Sequence, residues 1–310
     1  MAGHVKESVS EGLLGIGLRR LRHGVGWRLT KYRWVVSQLW SRTVARGVIS
    51  WRWQIRSEGR AHALPGQLIV SLTSYPPRYP TLALTLKCLL CQSVQADKTV
   101  LWIAAEDIGS LPKAVTDLRA DGLEIRPCKN NRSYKKIIPT LAAFPQAFIV
   151  TADDDVYYSS RWLEKLVAAV GEKTIVCHRA HAVKFDDLGN PAPYKEWHFD
   201  KSEASPVLFP TGVGGILYPP GSLAPEVSDE DKFLNLCPNA DDVWLFWMGR
   251  RAGSSYIMLG KSWSPIHWKG TQASALHLTN AGLGGNDEQI KRMMGEYGFP
   301  SKEASYEQAA

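Results

Sequence analysis

The feature that most constrains this chain is a run of three aspartates, Asp153 to Asp155, directly after the segment 148–152. That segment is largely apolar and follows Pro145 closely, which predicts a short buried strand. Adjacent carboxylates repel one another, and burying one costs several kcal/mol unless a partner offsets its charge. The run therefore predicts a cation site, and Mg²⁺ or Mn²⁺ suits it because both take oxygen ligands and share them with substrate phosphates. The alternative is a solvated acidic turn that caps the next helix.

Strand-like and helix-like segments alternate along the body of the chain, which predicts βαβ units and a mostly parallel sheet. Ligands of such sheets bind outside the carboxyl ends of the strands, where the aspartate run would lie. We expect a helix to be capped by Thr81 and a short helix at 111–120. The predicted strands are 68–72, 98–103, 123–126 and 148–152.

The positive charge of the chain is concentrated at its start. Residues 1–60 contain twelve Lys and Arg against three Glu, a net charge of +9, whereas the whole chain of 310 residues carries +7. With 45% hydrophobic and 22% charged residues, the chain as a whole has the composition of an ordinary globular protein. The predicted division is a basic, Trp-rich arm at 1–62, a main domain at 63–290 with halves at 63–160 and 161–290, and a C-terminal helix and tail at 291–310.

The arm has the pattern of an amphipathic helix at a membrane surface. Its apolar residues recur every three or four positions, and five of the twelve Trp lie there among arginines, which suits the headgroup layer of an anionic membrane. Its longest uncharged run, 34–41, is too short to span a bilayer, and its arginines interrupt any signal-peptide core. Packing on its own domain or on a second subunit is the alternative. Nucleic acid is not an expected partner, because no nucleic-acid fold signature follows the arm.

The five cysteines point to a reducing compartment. They are odd in number and follow no secretory signal. Cys88 and Cys91 have the spacing of a redox or zinc motif, but they lie inside an apolar helical pattern, which favours core packing. We therefore expect a cytoplasmic protein that associates peripherally with the inner face of the cell membrane.

Three further segments, together with the aspartate run, resemble a known family. The segment 70–75 (Val-Ser-Leu-Thr-Ser-Tyr), the helix end 89–93 (Leu-Leu-Cys-Gln-Ser) and the strand 100–102 (Val-Leu-Trp) resemble the nucleotide-sugar half of GT-A glycosyltransferases. The likeness is to family 2-like bacterial enzymes that build capsule, O-antigen or other envelope polysaccharides, and it covers about residues 66–290. It implies an α/β fold of the GT-A type. That fold is a Rossmann-like, mostly parallel sheet flanked by helices, here preceded by a basic amphipathic helical arm.

The resemblance implies that the loop after the first strand flanks the nucleotide. The aspartate run, a D-x-D motif, would then bind Mn²⁺ or Mg²⁺ and the donor diphosphate. Asp155 would be the metal ligand proper, Asp153 would face the ribose or the metal, and Asp154 would border the nucleotide sugar. Relatives carry an Asp after the second strand where this chain has Ala104, so the nucleotide stays open. A lysine of the basic loop 129–136 would neutralise the diphosphate, unless that loop is solvated. The other implied nucleotide-sugar residues are Thr73, Ser74, Tyr75, Arg78, Lys135 and Lys136.

The resemblance places the acceptor in the second half. Gly214 and Gly215 belong to a small-residue segment beneath the acceptor sugar, where glycine permits close approach, although tight packing alone would also select it. Asp241 and Asp242 resemble the acidic motif that opens the acceptor-side helix. There one carboxylate, preferably Asp242, takes the proton of the acceptor hydroxyl, which is worth roughly a hundred- to ten-thousand-fold in rate. The alternative is a helix N-terminus capped by Asn239 or Asp241.

Late polar residues complete the expected site. His267 would be a further metal ligand, although a lone His is more often structural. Asn286 and Asp287 would lie in a substrate-proximal loop on the acceptor side.

The expected reaction is metal-dependent transfer of a sugar from a nucleotide-sugar donor to a lipid-linked or polysaccharide acceptor at the cytoplasmic membrane face. One alternative is a Mg²⁺-dependent phosphohydrolase with an aspartyl nucleophile. That class takes Thr or Val at the fifth position counted from the first Asp, where this chain has Tyr157. Another is a non-catalytic membrane or nucleic-acid adaptor that acts through the arm, but it leaves both acidic motifs unexplained.

Overall fold

The computed structural model describes Trp40 and residues 44–197, 207–260, 264–274 and 285–300. Most of the predicted arm, residues 1–39, lies outside the described residues. The predicted domain boundaries stay predictions.

A seven-stranded sheet forms the centre of the fold, in the order β3-β2-β1-β4-β8-β5-β9. The first four of these strands are parallel to one another, β8 is antiparallel to both of its neighbours, and β9 is parallel to β5. A small antiparallel pair, β6 and β7, stands apart from it. The strands are β1 Leu68–Thr73, β2 Lys98–Ala104, β3 Leu123–Cys128, β4 Phe148–Ala152, β5 Thr174–Cys177, β6 Ala180–Ala182, β7 Leu208–Pro210, β8 Ile216–Tyr218 and β9 Ser255–Met258.

Helices flank this sheet and connect its strands. They are α1 Ala45–Gln54, α2 Tyr79–Leu90, α3 Lys113–Thr116, α4 Ile138–Ala143, α5 Trp162–Ala168, α6 Glu230–Leu236, α7 Asp241–Arg251 and α8 Gly285–Tyr297. The predicted α/β class with a mostly parallel sheet is confirmed.

The sheet is buried on both faces, which explains why its strands are almost continuously apolar. In β1, Leu68 and Val70 belong to the core on one face, whereas Ile69 belongs to the core on the other. The buried polar residue of this strand, Ser71, is satisfied because its hydroxyl lies 2.6 Å from the carbonyl oxygen of Lys136 and 2.7 Å from the Thr140 hydroxyl. The core therefore fixes the strand ends from which the site residues project.

Two local predictions were wrong. The helix predicted to be capped by Thr81 begins at Tyr79, because Pro80 is suited to a first helical turn. The segment predicted as one helix at 111–120 is the single α-turn α3 followed by a 3-10 turn, Asp117–Asp121. Gly122, with φ of 94°, ends it in the left-handed conformation that glycine adopts freely.

The described end of the arm packs on its own domain. Ala45 and Ile49 of α1 are fully buried. The Arg52 guanidinium donates to the carbonyl oxygens of Cys91 at 2.6 Å and Tyr158 at 3.2 Å. Among the described residues, no helix combines the length and the apolar character needed to cross a membrane.

The cysteines are free thiols. Cys88 lies in the core, as predicted, and burial raises its pKa to about 12. An un-ionised buried thiol is a poor metal ligand and a poor nucleophile.

Candidate active site

The predicted site residues gather where strands of the central sheet end. The aspartate run follows β4, and the loop from Thr73 to Arg78 follows the parallel neighbour β1. The 3-10 turn Gly212–Gly214 precedes β8 beside β4, and α7 opens with Asp241. The two acidic motifs, distant in the sequence, therefore face one another.

Asp155 lies at the centre of a group of nitrogen donors. Its Oδ2 lies 3.2 Å from Nδ1 of His267 and accepts a hydrogen bond from Gln272 at 2.7 Å, and it forms an ion pair with Arg78. An antiparallel bridge between Val156 and His267 brings the histidine there. Burial alone would raise the pKa of Asp155, but His267 and Arg78 hold it below its ordinary value. Asp155 is therefore an ionised carboxylate that nitrogen atoms of Arg78, His267 and Gln272 surround.

Asp154 ties the aspartate run to the loop after β1. Its carboxylate accepts a hydrogen bond of 2.5 Å from Ser74, and its carbonyl oxygen accepts one of 2.9 Å from Thr85. Burial, with the neighbouring charge of Asp155, raises the pKa of Asp154 to about 7. Both Asp154 and Ser74 are buried, so the structure gives them a part in holding the loop, and their nucleotide contact stays a prediction.

The other residues predicted to contact the nucleotide lie in or next to the loop that follows β1. The Thr73 hydroxyl donates to the carbonyl oxygen of Trp102 at 2.8 Å, and the Arg78 guanidinium lies 6.0 Å from the centre of the Tyr75 ring. Lys135 is buried with its Nζ 3.5 Å from the carbonyl oxygen of Ser74. The alternative of a solvated basic loop is therefore wrong for Lys135.

Lys136 connects the two acidic motifs. Its buried Nζ lies 3.2 Å from Oδ1 of Asp153 and 3.1 Å from Oδ2 of Asp241. Burial lowers the pKa of Lys136, but Asp153, Asp241 and Asp242 outweigh it and keep that pKa above its ordinary value. The two acidic motifs thus share one charged lysine.

Asp242 is held by the backbone of Gly212 and has a pKa near neutrality. Its two oxygens accept hydrogen bonds of 3.0 and 3.1 Å from the backbone N–H of Gly212. Burial and the charge of Asp241 raise the pKa of Asp242 to about 7. Because a general base works best when its pKa is near the working pH, Asp242 is suited to accept a proton at neutral pH.

The acidic pair does stand at a helix N-terminus, as the alternative held, but neither Asn239 nor Asp241 is the N-cap residue. The N-cap residue of α7 is Ala240, whose side chain carries no polar atom. Asn239 accepts from Arg132 and Asp241 pairs with Lys136, so both side chains have partners other than the end of the helix.

Gly212 was not among the predicted site residues. A Cβ atom there would lie 2.9 Å from Nζ of Lys136 and 3.0 Å from Oδ1 of Asp242, so any larger residue would disturb both groups. Gly214 and Gly215, chosen instead, pack on Trp162: its indole donates to the carbonyl oxygen of Gly214 at 2.7 Å, and a Cβ on Gly215 would overlap its ring. Packing accounts for these two glycines, and their acceptor-side role stays a prediction.

Arg179 and Tyr194 lie within the electrostatic reach of Asp242 and were not among the predicted site residues. The Arg179 guanidinium donates to the Thr211 hydroxyl at 2.8 Å. Burial, followed by the charge of Asp242, raises the pKa of Tyr194, so its hydroxyl lies within the electrostatic reach of that carboxylate. An arginine two residues after an apolar strand, Thr174–Cys177, was the signal available for Arg179.

Asn286 and Asp287 were predicted in a loop, but they lie in the first turn of α8, next to this region. Oδ1 of Asp287 accepts from the backbone N–H of Tyr194 at 2.7 Å. Asn286 is 8% exposed, and its Oδ1 finds no hydrogen-bond partner among the described residues. Both helix residues are therefore beside the candidate acceptor region.

The side chains at this site could hold a divalent ion whose remaining ligands come from the substrate. Within the described residues, no three His, Cys, Asp or Glu side chains converge as a metal site. Asp155 and His267 do converge as a pair, whereas Asp153 turns to Lys136. Mg²⁺ commonly takes one or two protein ligands, with phosphate oxygens and water as the others. Two convergent donors therefore suffice here if the diphosphate supplies further oxygens.

Comparison with known families and curated proteins found no match to the sequence. Among solved structures, the chain is similar to 4-diphosphocytidyl-2C-methyl-D-erythritol synthase from Anaerococcus prevotii, at 17% identity and a TM-score of 0.44. That match covers 70% of this chain and 96% of the other. The chain is also similar to glucosyl-3-phosphoglycerate synthase from Mycobacterium tuberculosis, a structure in complex with Mn²⁺, UDP and glucosyl-3-phosphoglycerate. Here the identity is 15% and the TM-score 0.39, over 76% of this chain and 82% of the other.

A third similar structure is the inositol-1-phosphate CTP transferase from T. maritima, at 10% identity and a TM-score of 0.33, over 77% of this chain and 98% of that one. At these identities and TM-scores, the likenesses carry no conclusion about the activity of this chain.

Proposed function

We propose that this protein transfers a sugar from a nucleotide-sugar donor to a hydroxyl of a glycan or lipid-linked acceptor, with the help of Mn²⁺ or Mg²⁺. The observation that carries the proposal is the position of Lys136 between Asp153 and Asp241, with Asp242 beside them. This arrangement gives one cleft a cationic group for a leaving phosphate and a carboxylate suited to deprotonate a hydroxyl.

Asp155 and His267 would hold the divalent ion, which supplies Lewis-acid neutralisation of the diphosphate when bound. Lys136 and Arg78 would add fixed positive charge to the same region. Because these groups are already oriented by Asp153 and Asp155, little reorganisation is needed when charge develops on the leaving group. The loop with Thr73 and Tyr75 would border the nucleotide.

Asp242 would act on the acceptor if the configuration of the sugar is inverted. The acceptor oxygen forms a bond to the anomeric carbon while the bond from that carbon to the diphosphate oxygen breaks. The nucleoside diphosphate leaves with the electron pair of that bond, and the hydroxyl proton passes to Asp242. If configuration is retained, Asp242 would orient the acceptor instead.

The phosphohydrolase alternative has less support. It uses the first aspartate of the run as a nucleophile, but Asp153 is ion-paired with Lys136 at 3.2 Å. An ion-paired carboxylate is a weaker nucleophile than a free one. The proposed acceptor is therefore a sugar or lipid-linked hydroxyl at the cytoplasmic membrane face rather than water.

Thermal melting with a panel of nucleoside diphosphates, with and without Mn²⁺, tests the proposal. A ligand at a hundred times its Kd stabilises the folded state by about 2.7 kcal/mol, which a melting shift detects. We expect one diphosphate to stabilise the wild type only with Mn²⁺, and Asp155→Asn to abolish this shift. Asp187→Asn, at an exposed carboxylate, is the matched control and should keep the shift. If no diphosphate shifts the wild type, the proposed donor is wrong.

A further inference from the structure

Exposed apolar side chains are concentrated at one helix. Five large hydrophobic side chains are exposed in the described part of the chain, and three of them lie on or next to α1. Their exposed fractions are 46% for Val44, 59% for Trp51 and 58% for Ile55. The other two, Leu188 and Ile257, lie far away in the sequence.

These three side chains form a single stripe. At 3.6 residues per turn, positions 44, 51 and 55 fall within an arc of about 40°, and position 48 lies directly beside it. Val48 is half-buried. We call these four residues, Val44, Val48, Trp51 and Ile55, the α1 stripe.

The opposite flank of α1 is fixed to the catalytic domain. Ala45 and Ile49 are fully buried, and Arg52 donates to two backbone carbonyls of the domain. One of these belongs to Tyr158, whose hydroxyl accepts from the backbone N–H of Asp153 at 2.9 Å. The helix is therefore part of the folded body, and the stripe is held in a fixed relation to the aspartate run.

The charge around the stripe identifies its partner. Residues 44–60 contain four arginines and one acidic residue, Glu58, and residues 1–60 together carry +9. A second copy of the chain would bring two such positive arms together, and like charges facing each other disfavour that contact. An anionic lipid surface satisfies both properties, because its headgroups attract arginine and its interfacial layer accepts Trp and aliphatic side chains.

We propose that the α1 stripe docks on the surface of an anionic lipid bilayer, with Trp51 and Ile55 in the interfacial layer. The aspartate run is then held near that surface through Arg52 and Tyr158. Docking of the α1 stripe on the bilayer does not depend on the proposed sugar transfer.

Co-sedimentation of the full chain with vesicles tests the proposal. The probes are phosphatidylcholine vesicles with roughly one third phosphatidylglycerol, and vesicles of phosphatidylcholine alone. The variants are Trp51→Ser and Ile55→Ser, and the matched control is Leu188→Ser, at a side chain that is 87% exposed. Because all three side chains are exposed, the melting temperature should not change.

We expect the wild type to prefer the anionic vesicles. Trp51→Ser and Ile55→Ser should each lower that affinity by about fivefold or more, since each removes apolar area that would enter the interface. Leu188→Ser should bind as the wild type does. Unchanged binding of both α1 variants, equal binding to the two kinds of vesicle, or no binding at all would each overturn the proposal. So would a loss of concentration-dependent self-association in the α1 variants, which would make a second copy the partner. The assay contains no nucleotide, so its failure is distinct from failure of the proposed reaction.

Discussion

The Nζ of Lys136 lies 3.1 Å from a carboxylate oxygen of Asp241, and this contact joins the two acidic motifs of the candidate site, since the same Nζ lies 3.2 Å from Asp153. Both side chains are buried, so neither charge is screened well by water. With Asp153 and Asp242 nearby, the lysine holds together carboxylates that would otherwise repel one another.

Replacing Lys136 by Met should destabilise the protein. Removing one partner of a buried ion pair leaves an uncompensated charge and costs about 3–5 kcal/mol. Urea unfolding at neutral pH measures the loss. Lys135→Met is the matched control, since Lys135 is equally buried but its described hydrogen bond goes to a backbone carbonyl at 3.5 Å. Equal losses in the two variants would contradict the importance of the carboxylate contacts.

Replacing Asp242 by Asn should remove proton acceptance. A general base with a pKa of about 7 works only when deprotonated, so the wild-type rate should rise with pH until it passes about 7. Asp242→Asn should lower the rate roughly a hundred- to ten-thousand-fold and flatten this profile, while the diphosphate-induced melting shift stays. Asp231→Asn, at an exposed carboxylate of α6, should keep the wild-type profile. If the rate of Asp242→Asn depended on pH as the wild-type rate does, the general base would be another group.

Replacing Asp154 by Asn should change how stability depends on pH. The pKa of Asp154 is about 7 in the folded protein, against about 3.9 for an unperturbed Asp. Between these values the folded state binds more protons than the unfolded state, so the free energy of unfolding falls as the pH rises. The amide cannot titrate, so the variant should lose less stability than the wild type between about pH 4 and 7.

Chemical denaturation at several pH values gives the difference between the two proteins. The Ser74 hydroxyl can bond the amide oxygen as it bonds the carboxylate, which keeps the packing comparable. If the two curves run parallel across this range, Asp154 does not titrate there.

The sheet and the acidic motifs could be predicted because their signals are local. The strands are apolar runs such as 68–72, and the aspartate run and the pair Asp241-Asp242 are contiguous in the sequence. His267 stood out as a late histidine, and the structure places it 3.2 Å from Asp155. Even the start of α2 at Tyr79 had a local signal, since Pro80 favours a first turn.

The remaining features depend on contacts that a single sequence does not reveal. Gly212 matters because Lys136 and Asp242 approach it from segments far away in the chain. Tyr194 feels the charge of Asp242 although the two residues are far apart in the sequence. Gly214 and Gly215 share the composition of a ligand-facing segment, but Arg179 and His178 fill the space beside Gly214, and Trp162 fills the space beside Gly215.

Replacing Gly212 by Ala should impair the site while the fold is kept. The added methyl group would lie 2.9 Å from Nζ of Lys136 and 3.0 Å from Oδ1 of Asp242, so one of these groups must move. Overpacking of this kind costs about 1–3 kcal/mol, and the bond from Gly212 to Asp242 should lengthen. Gly295→Ala is the control, because the described residues leave open space there. We expect a lower melting temperature and lower activity for Gly212→Ala only, and equal behaviour of both variants would contradict this reading.

Replacing Arg179 by Met should weaken acceptor binding and leave donor binding intact. Arg179 reaches Thr211 at 2.8 Å, directly before the turn that carries Gly212, and it lies on the Asp242 side of the cleft. Arg179 would also donate hydrogen bonds to the acceptor. Their loss should raise the KM for the acceptor by about tenfold, since hydrogen bonds to charged groups are worth about 1.5–3 kcal/mol. The diphosphate-induced melting shift should stay as in the wild type, because Asp155 and Lys136 are untouched. Arg179→Lys keeps the charge without the planar fork and should recover only part of the affinity. A variant that lost the melting shift while keeping its acceptor KM would instead place Arg179 on the donor side.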